Sequence, residues 1–239
     1  MSILSVRNFQ KRYGDKIAVR DLSLTVEAGD IYGFIGHNGA GKTTLIRSIV
    51  GAQSFEGGAI EVCGHDVMRD AIAAKRALAY VPDSPDIYEF MTGMQYLAYL
   101  ADIFEVPADQ RARRIEELSH RLDLADALAD PTASYSHGMR QKLVIIGALV
   151  HSPRLLVLDE PFVGLDPVAS HELKLILHEH ARAGAAVFFS SHVLEVVEKL
   201  CNKLTIIRAG EVLAQGTTEQ VRGDNALEDV FLELVEQEA

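Results

Sequence analysis

The sequence predicts an α/β fold built on a mainly parallel sheet. Three features carry that expectation: a glycine-rich loop between an apolar strand and a helix, a long block of helical periodicity, and apolar runs alternating with amphipathic stretches after it. Taken in order, residues 3–9, 22–26, 31–35 and 59–62 are period-2 or β-branched runs that read as strands, with Ala28-Gly29-Asp30 and Gly57-Gly58 as turns. Over 41–51 the pattern changes to a helix, since Leu45, Ile46, Ile49 and Val50 share one face before Gly51 closes it. Residues 84–150 read as an all-helical insert, with Leu97, Leu100, Ala101 and Phe104 on one stripe and Ile115, Leu118 and Leu122 on the next. Beyond it, short apolar runs at 155–158, 186–189 and 204–207 are separated by amphipathic stretches at 171–182 and 193–200, the signature of parallel strands with crossover helices. A last amphipathic helix places Leu227, Val230, Phe231, Leu234 and Val235 together, either docked on its own domain or facing a partner. No repeat or long linker interrupts the chain. One domain is therefore expected over 1–239, with a core at 1–83 and 151–224, the insert at 84–150 and a terminal helix at 225–239.

Composition bounds the function. A chain of 239 residues, 48% apolar and 24% charged, suits a globular α/β domain and excludes disordered and fibrous classes. Acids outnumber bases 34 to 23, so the surface repels phosphate backbones and no nucleic-acid partner is expected. Cys63 and Cys201 lie apart in apolar stretches, without metal-ligand spacing, and read as core residues of a protein in a reducing cytosol. The N-terminus lacks the apolar region of a secretion signal. The best apolar run, 143–150, is stopped by His151, Pro153 and Arg154, far short of the ~20 residues a bilayer span needs.

Gly36-His37-Asn38-Gly39-Ala40-Gly41-Lys42-Thr43 fits G-x-x-x-x-G-K-[ST], after a buried strand and at a helix start. Its glycines let backbone N–H groups wrap a polyphosphate, Lys42 reaches the β and γ oxygens, and Thr43 offers a hydroxyl to magnesium. A second strand ends in Asp159-Glu160, at the sheet edge where α/β folds bind ligands. Asp159 can hold magnesium and Glu160 can polarise an attacking water, although acids after a strand also serve as simple helix caps.

These residues begin to spell a family. Over essentially its whole length the chain resembles the nucleotide-binding subunit of ATP-binding cassette (ABC) transporters. Tyr135-Ser136-His137-Gly138-Met139-Arg140-Gln141 is similar to the family's signature motif, Gly164-Leu165-Asp166-Pro167 to its D-loop, and Ser190-Ser191-His192 to its switch histidine. The resemblance implies a P-loop NTPase core, an N-terminal antiparallel β subdomain and an inserted α-helical subdomain. It implies ATP and Mg2+ as cofactors, with nucleotide contacts from Tyr13, Gly36, Asn38, Gly39, Gly41, Lys42, Thr43, Thr44, Ser136, Gly138 and Asp166. Thr43, Asp83 and Asp159 would hold the metal, with Glu160 and His192 catalytic. It further implies a second cassette, identical or homologous, that sandwiches two ATP molecules head to tail, and a separate transmembrane permease at the inner face of the cell membrane. The E-D-V-F-L-E-L tail is similar to those of bacterial export-type cassettes.

Each motif also has a plainer reading: Tyr13 as ordinary packing, Ser136 as a helix cap, His192 as one of nine surface-prone histidines, Asp166 as a turn residue. Three positions depart from the family. Asp83 stands where glutamine is usual, so it can accept or ligate but not donate, and the signature carries His137 and Met139 for glycine and glutamine. A soluble cassette ATPase acting on ribosomes or DNA, and an ATP-binding regulatory module, are the alternatives; a single cassette and acidic charge weigh against the first, and Glu160 with His192 against the second.

Overall fold

The computed structural model describes residues 2–236, and of Val235 and Glu236 the backbone only. The chain runs β1 (Ser2–Tyr13), β2 (Lys16–Glu27), β3 (Ile31–Ile35), α1 (Lys42–Ile49), β4 (Gly57–Val62), β5 (His65–Asp66), α2 (Ala71–Ala77) and β6 (Leu78–Val81). Three long helices follow, α3 (Gly93–Ile103), α4 (Ala108–Arg121) and α5 (His137–Val150). The C-terminal part alternates β7 (Leu155–Asp159), α6 (Pro167–Arg182), β8 (Ala186–Ser191), α7 (Leu194–Leu200), β9 (Lys203–Arg208), β10 (Glu211–Thr217), α8 (Thr218–Arg222) and α9 (Leu227–Glu236).

Two sheets result. The first, in the order β2-β1-β4-β5, is antiparallel throughout. The second runs β10-β9-β3-β8-β7-β6, parallel except for the β10–β9 pair at its edge. Every residue of β3, β7 and β8 is buried, as a parallel strand covered on both faces requires. Side-chain alternation then divides the core in two. Ile31, Leu156, Leu158, Val187 and Phe189 face the helical layer with Leu97, Leu143 and Ile146, whereas Tyr32, Phe34, Leu155, Val157 and Phe188 face Leu45 and Ile46 of α1 and the antiparallel sheet. A helix held between two sheets cannot drift. Truncating Leu156 or Leu45, both fully buried, to alanine would cost about 2–5 kcal/mol.

The helical block starts later than its periodicity suggests. Pro82 and Pro85 disfavour helix in the residues before them, and the first helix is set instead by a reciprocal Thr92–Gln95 capping box. Strands β1 and β2 are longer than their apolar runs because polar residues continue the hairpin to Tyr13 and Lys16. Helix α6 begins at Pro167, capped by Asp166, four residues ahead of its amphipathic stretch. Cys201 is buried, as expected, but Cys63 is only half-buried and takes a left-handed turn conformation at φ +51°. Helix α9 docks on its own domain through Leu227 and Phe231, with Leu234 partly covered; Val235's side chain lies outside the described residues. Among the described residues no helix is long and apolar enough to cross a membrane.

Candidate functional site

Parallel pairing of β3, β8, β7 and β6 brings the loops after all four strands to one edge of the sheet. Gly36 follows β3, Asp159 and Glu160 end and follow β7, His192 follows β8, and Asp83 lies just past β6. Pieces scattered along the chain thus meet at one place.

The glycine loop wraps the start of α1. Gly41 has φ +112°, and a Cβ there would stand 2.9 Å from both the Ala18 carbonyl oxygen and a Val19 methyl, so only glycine fits. Lys42 is buried and its ammonium donates to the carbonyls of Gly36 (2.6 Å) and His37 (3.3 Å). Burial lowers its pKa, which Glu160 and Asp159 partly offset. A cavity of about 440 Å³ opens over the loop, lined by Tyr13, Ala18, Gly39, Gly41, Thr43 and Thr44 among others. Tyr13 is half-exposed there and tethered, since its hydroxyl donates to Gln53 Oε1 at 2.8 Å and Gln53 Nε2 donates to the Thr44 carbonyl at 2.9 Å. Asn38 is exposed at the loop's tip.

Beside the loop, Thr43 Oγ1 donates to Asp159 Oδ2 at 3.2 Å, while the hydroxyl of Ser190 donates to Asp159 Oδ1. Asp159 is 2% exposed, and burial raises its pKa, which the Ser190 hydrogen bond counteracts. The adjacent Glu160 takes a left-handed backbone, φ +50°, rare for a non-glycine residue and held by its N–H donating to the Ser190 carbonyl at 3.2 Å. Its carboxylate lies 3.0 Å from His192 Nδ1 and also accepts from the His192 backbone N–H at 3.4 Å. Neither acid caps a helix. Asp83 is exposed nearby, and its charge contributes to the raised pKa of Asp159.

Ser136, Gly138 and Asp166 do not line this cavity. Ser136 caps α5 by accepting from Met139 N–H at 3.3 Å, and Asp166 caps α6 by accepting from Ala169 N–H at 2.9 Å. These two ends are tied together. Lys142 of α5 pairs with Asp166 at 3.1 Å, Gln141 Nε2 donates to the Pro161 carbonyl at 3.3 Å, and a Cβ on Gly138 would meet the Gly164 carbonyl oxygen at 2.7 Å.

A family model described as "ABC transporter" matches residues 19–163. The chain belongs to that family. It is 35% identical to the ABC-type transporter ATP-binding protein EcsA of Bacillus subtilis (strain 168), with 100% of this chain and 99% of that one aligned. It is 34% identical to the daunorubicin resistance ATP-binding protein DrrA3 of Streptomyces coeruleorubidus, over 92% of this chain and 70% of the relative. Among solved structures, one titled as the ATP-binding subunit of an ABC transporter superimposes with a TM-score of 0.94 at 32% identity, covering 98% of this chain and 99% of its own. Another, CbiO1 of Clostridium perfringens, described as part of the ABC transporter complex CbiONQ, gives 0.80 at 25% identity over 99% and 97%. This ABC subunit binds ATP and is an ATPase.

Sequence reasoning missed the supports of this site. Ser190 under Asp159, Gln53 behind Tyr13 and the Lys142–Asp166 pair have no spacing signal, because their partners are 31, 40 and 24 residues away. It also missed an apolar surface just beyond Asp83. There Tyr88 packs its ring against Phe90 and Tyr99 at 5.7 and 5.8 Å, and Phe90 is 81% exposed.

Proposed function

We propose that this subunit hydrolyses ATP at the carboxyl edge of β3, β7 and β8, and that the reaction drives a separate membrane-spanning permease. The observation that carries the reading is the placing of Thr43, Asp159, Glu160 and His192 around one loop, with contacts of 3.2 and 3.0 Å inside the group. The triphosphate lies along the amides of residues 36–43, and Lys42 exchanges its loop carbonyls for phosphate oxygens. Tyr13 supplies a flat face for adenine at the other end of the cavity. The hydroxyl of Thr43 and the carboxylate of Asp159, with Asp83 in reach of the same edge, are hard oxygen donors that fit Mg2+. When bound, the ion would neutralise charge on the nucleotide's phosphates. Nucleotide oxygens and water would complete its coordination shell. Glu160 takes the proton from an attacking water, and His192, tied to that carboxylate, donates toward the γ-phosphate end.

Ser136 and Gly138 serve a second cassette. Their helix end offers backbone N–H groups to an anion, and a copy or a homologue would supply the nucleotide it caps. Asp166 lines the seam between the two. For the permease, the exposed patch of Tyr88, Phe90, Met94 and Tyr99 is the docking surface this reading needs, directly after Asp83, whose charge acts on Asp159. Such docking would place the subunit peripherally on the inner face of the cell membrane.

Lys42→Ala should weaken ATP binding about tenfold or more, and Glu160→Gln should keep binding while lowering turnover about a hundredfold or more. Equilibrium binding and steady-state ATPase assays on purified protein separate the two. Full activity in the Glu160→Gln protein would remove the general-base assignment.

A further inference from the structure

Residue 37 is a free position of the phosphate-loop motif, and α9 lies outside every motif, yet the two touch. The His37 ring stands 5.0 Å from the Phe231 ring, tilted at 59°. The contact is asymmetric: Phe231 is 7% exposed and fixed in the core, whereas His37 is exposed at the edge of the loop. Helix α9 is itself anchored. Leu227 is fully buried, its N–H donates to Glu198 Oε2 of α7 at 3.0 Å, and Glu198 also pairs with Arg222 of α8 at 3.1 Å. The same α7 begins two residues after His192.

On the loop side, the His37 carbonyl accepts from the Lys42 ammonium at 3.3 Å and from the Ala40 N–H at 3.1 Å. Where residue 37 sits therefore decides where the loop's turn closes and where Lys42 is held. A side chain in open solvent would leave that carbonyl to the loop's own flexibility; a ring seated on a buried phenyl removes this freedom before nucleotide arrives.

We propose that Phe231 is a positioning residue for the phosphate loop, acting through the His37 ring, so that the C-terminal helix belongs to the ATP-binding apparatus of its own chain. The proposal rests on the reading that residues 36–43 and Lys42 take the triphosphate. It gives α9 a role in affinity rather than in chemistry, because its contact is with His37 of the loop and not with the Glu160–His192 pair. Loss of the ring contact should raise the dissociation constant and KM for ATP while leaving kcat at saturating ATP within about twofold, as expected of an interaction equal in ground and transition states.

The test measures affinity for a fluorescent, non-hydrolysable ATP analogue with Mg2+, and steady-state ATPase, in wild type, His37→Ala, Phe231→Ala, the double variant and His37→Phe. His37→Ala changes an exposed residue and keeps the comparison open should Phe231→Ala fold poorly. Each single alanine variant should weaken binding about three- to tenfold, the range of an aromatic pair. The double variant should be no weaker than the weaker single, and His37→Phe, which keeps a ring, should bind as wild type does. Wild-type affinity in His37→Ala, or losses that multiply in the double variant, would overturn the proposal while leaving the site reading intact. Wild-type protein that failed to bind the analogue would overturn both.

Discussion

Two ionisable residues set measurable behaviour at the residue scale. Asp83 is exposed beside the edge that carries Asp159, and its carboxylate can ligand Mg2+ directly or through water. Asp83→Asn removes that charge, so the Mg2+ concentration needed for half-maximal ATPase should rise about threefold or more; an unaltered Mg2+ titration would end its metal role. His151 lies far from this chemistry. Its ring stacks on Phe104 at 3.6 Å, its Nε2–H donates to the Leu78 carbonyl at 3.2 Å, and burial, with Arg114 and His180 nearby, lowers its pKa to about 4. The unfolded chain, with His151 near its ordinary 6.5, therefore binds the proton first as pH falls. Stability from this residue is complete above that value, declines as pH falls toward about 4, and totals roughly 3 kcal/mol. Urea unfolding between pH 7 and 4 should show the decline, and His151→Phe should flatten part of it. The sequence singled out Lys42, Thr43 and Glu160 because motifs name them, and the structure brings them to one edge of the sheet. His151 was visible in the sequence only as the stop of an apolar run, since its environment is built by Leu78 and Phe104 from distant segments.

Helices and strands were readable to the extent that their own faces encode them. The buried runs at 31–35 and 155–158 matched β3 and nearly matched β7, because strands covered on both sides must be apolar at every position. Short elements were silent. β5 and β10 carry half-buried mixed residues, and α2 and α8 are too brief for a helical period to stand out. The segment between β6 and α3 misled most: its apolar residues fit a helix, but prolines keep it extended and turn Tyr88 and Phe90 outward. If that surface seats a permease, Phe90→Ser should abolish recovery of a multi-span chain from detergent-solubilised membranes while leaving the ATPase of the isolated subunit unchanged. Undiminished recovery would relocate the docking surface.

For the whole molecule, the feature that matters is that Ser136, at the start of α5, does not line the cavity over the Lys42 loop. In the proposed head-to-tail pair of cassettes, Ser136 of each copy would stand at the loop of the other. Lys42→Ala and Ser136→Ala proteins should each be inactive alone. Mixed in equal amounts, half the pairs would hold one intact site out of two, restoring roughly a quarter of wild-type ATPase. No recovery on mixing would refute the sandwich. From the sequence alone came the α/β class, the phosphate loop, the acidic strand end and the family, because each depends on residues adjacent in the chain or on a period that repeats locally. Tertiary structure alone decided that Ser190 braces Asp159, that His192 holds Glu160, that α5 is tied to the Asp166 loop and that α9 reaches the phosphate loop. Those are contacts between strand ends and helix faces far apart in the chain, and only the pairing order of the parallel sheet brings them together.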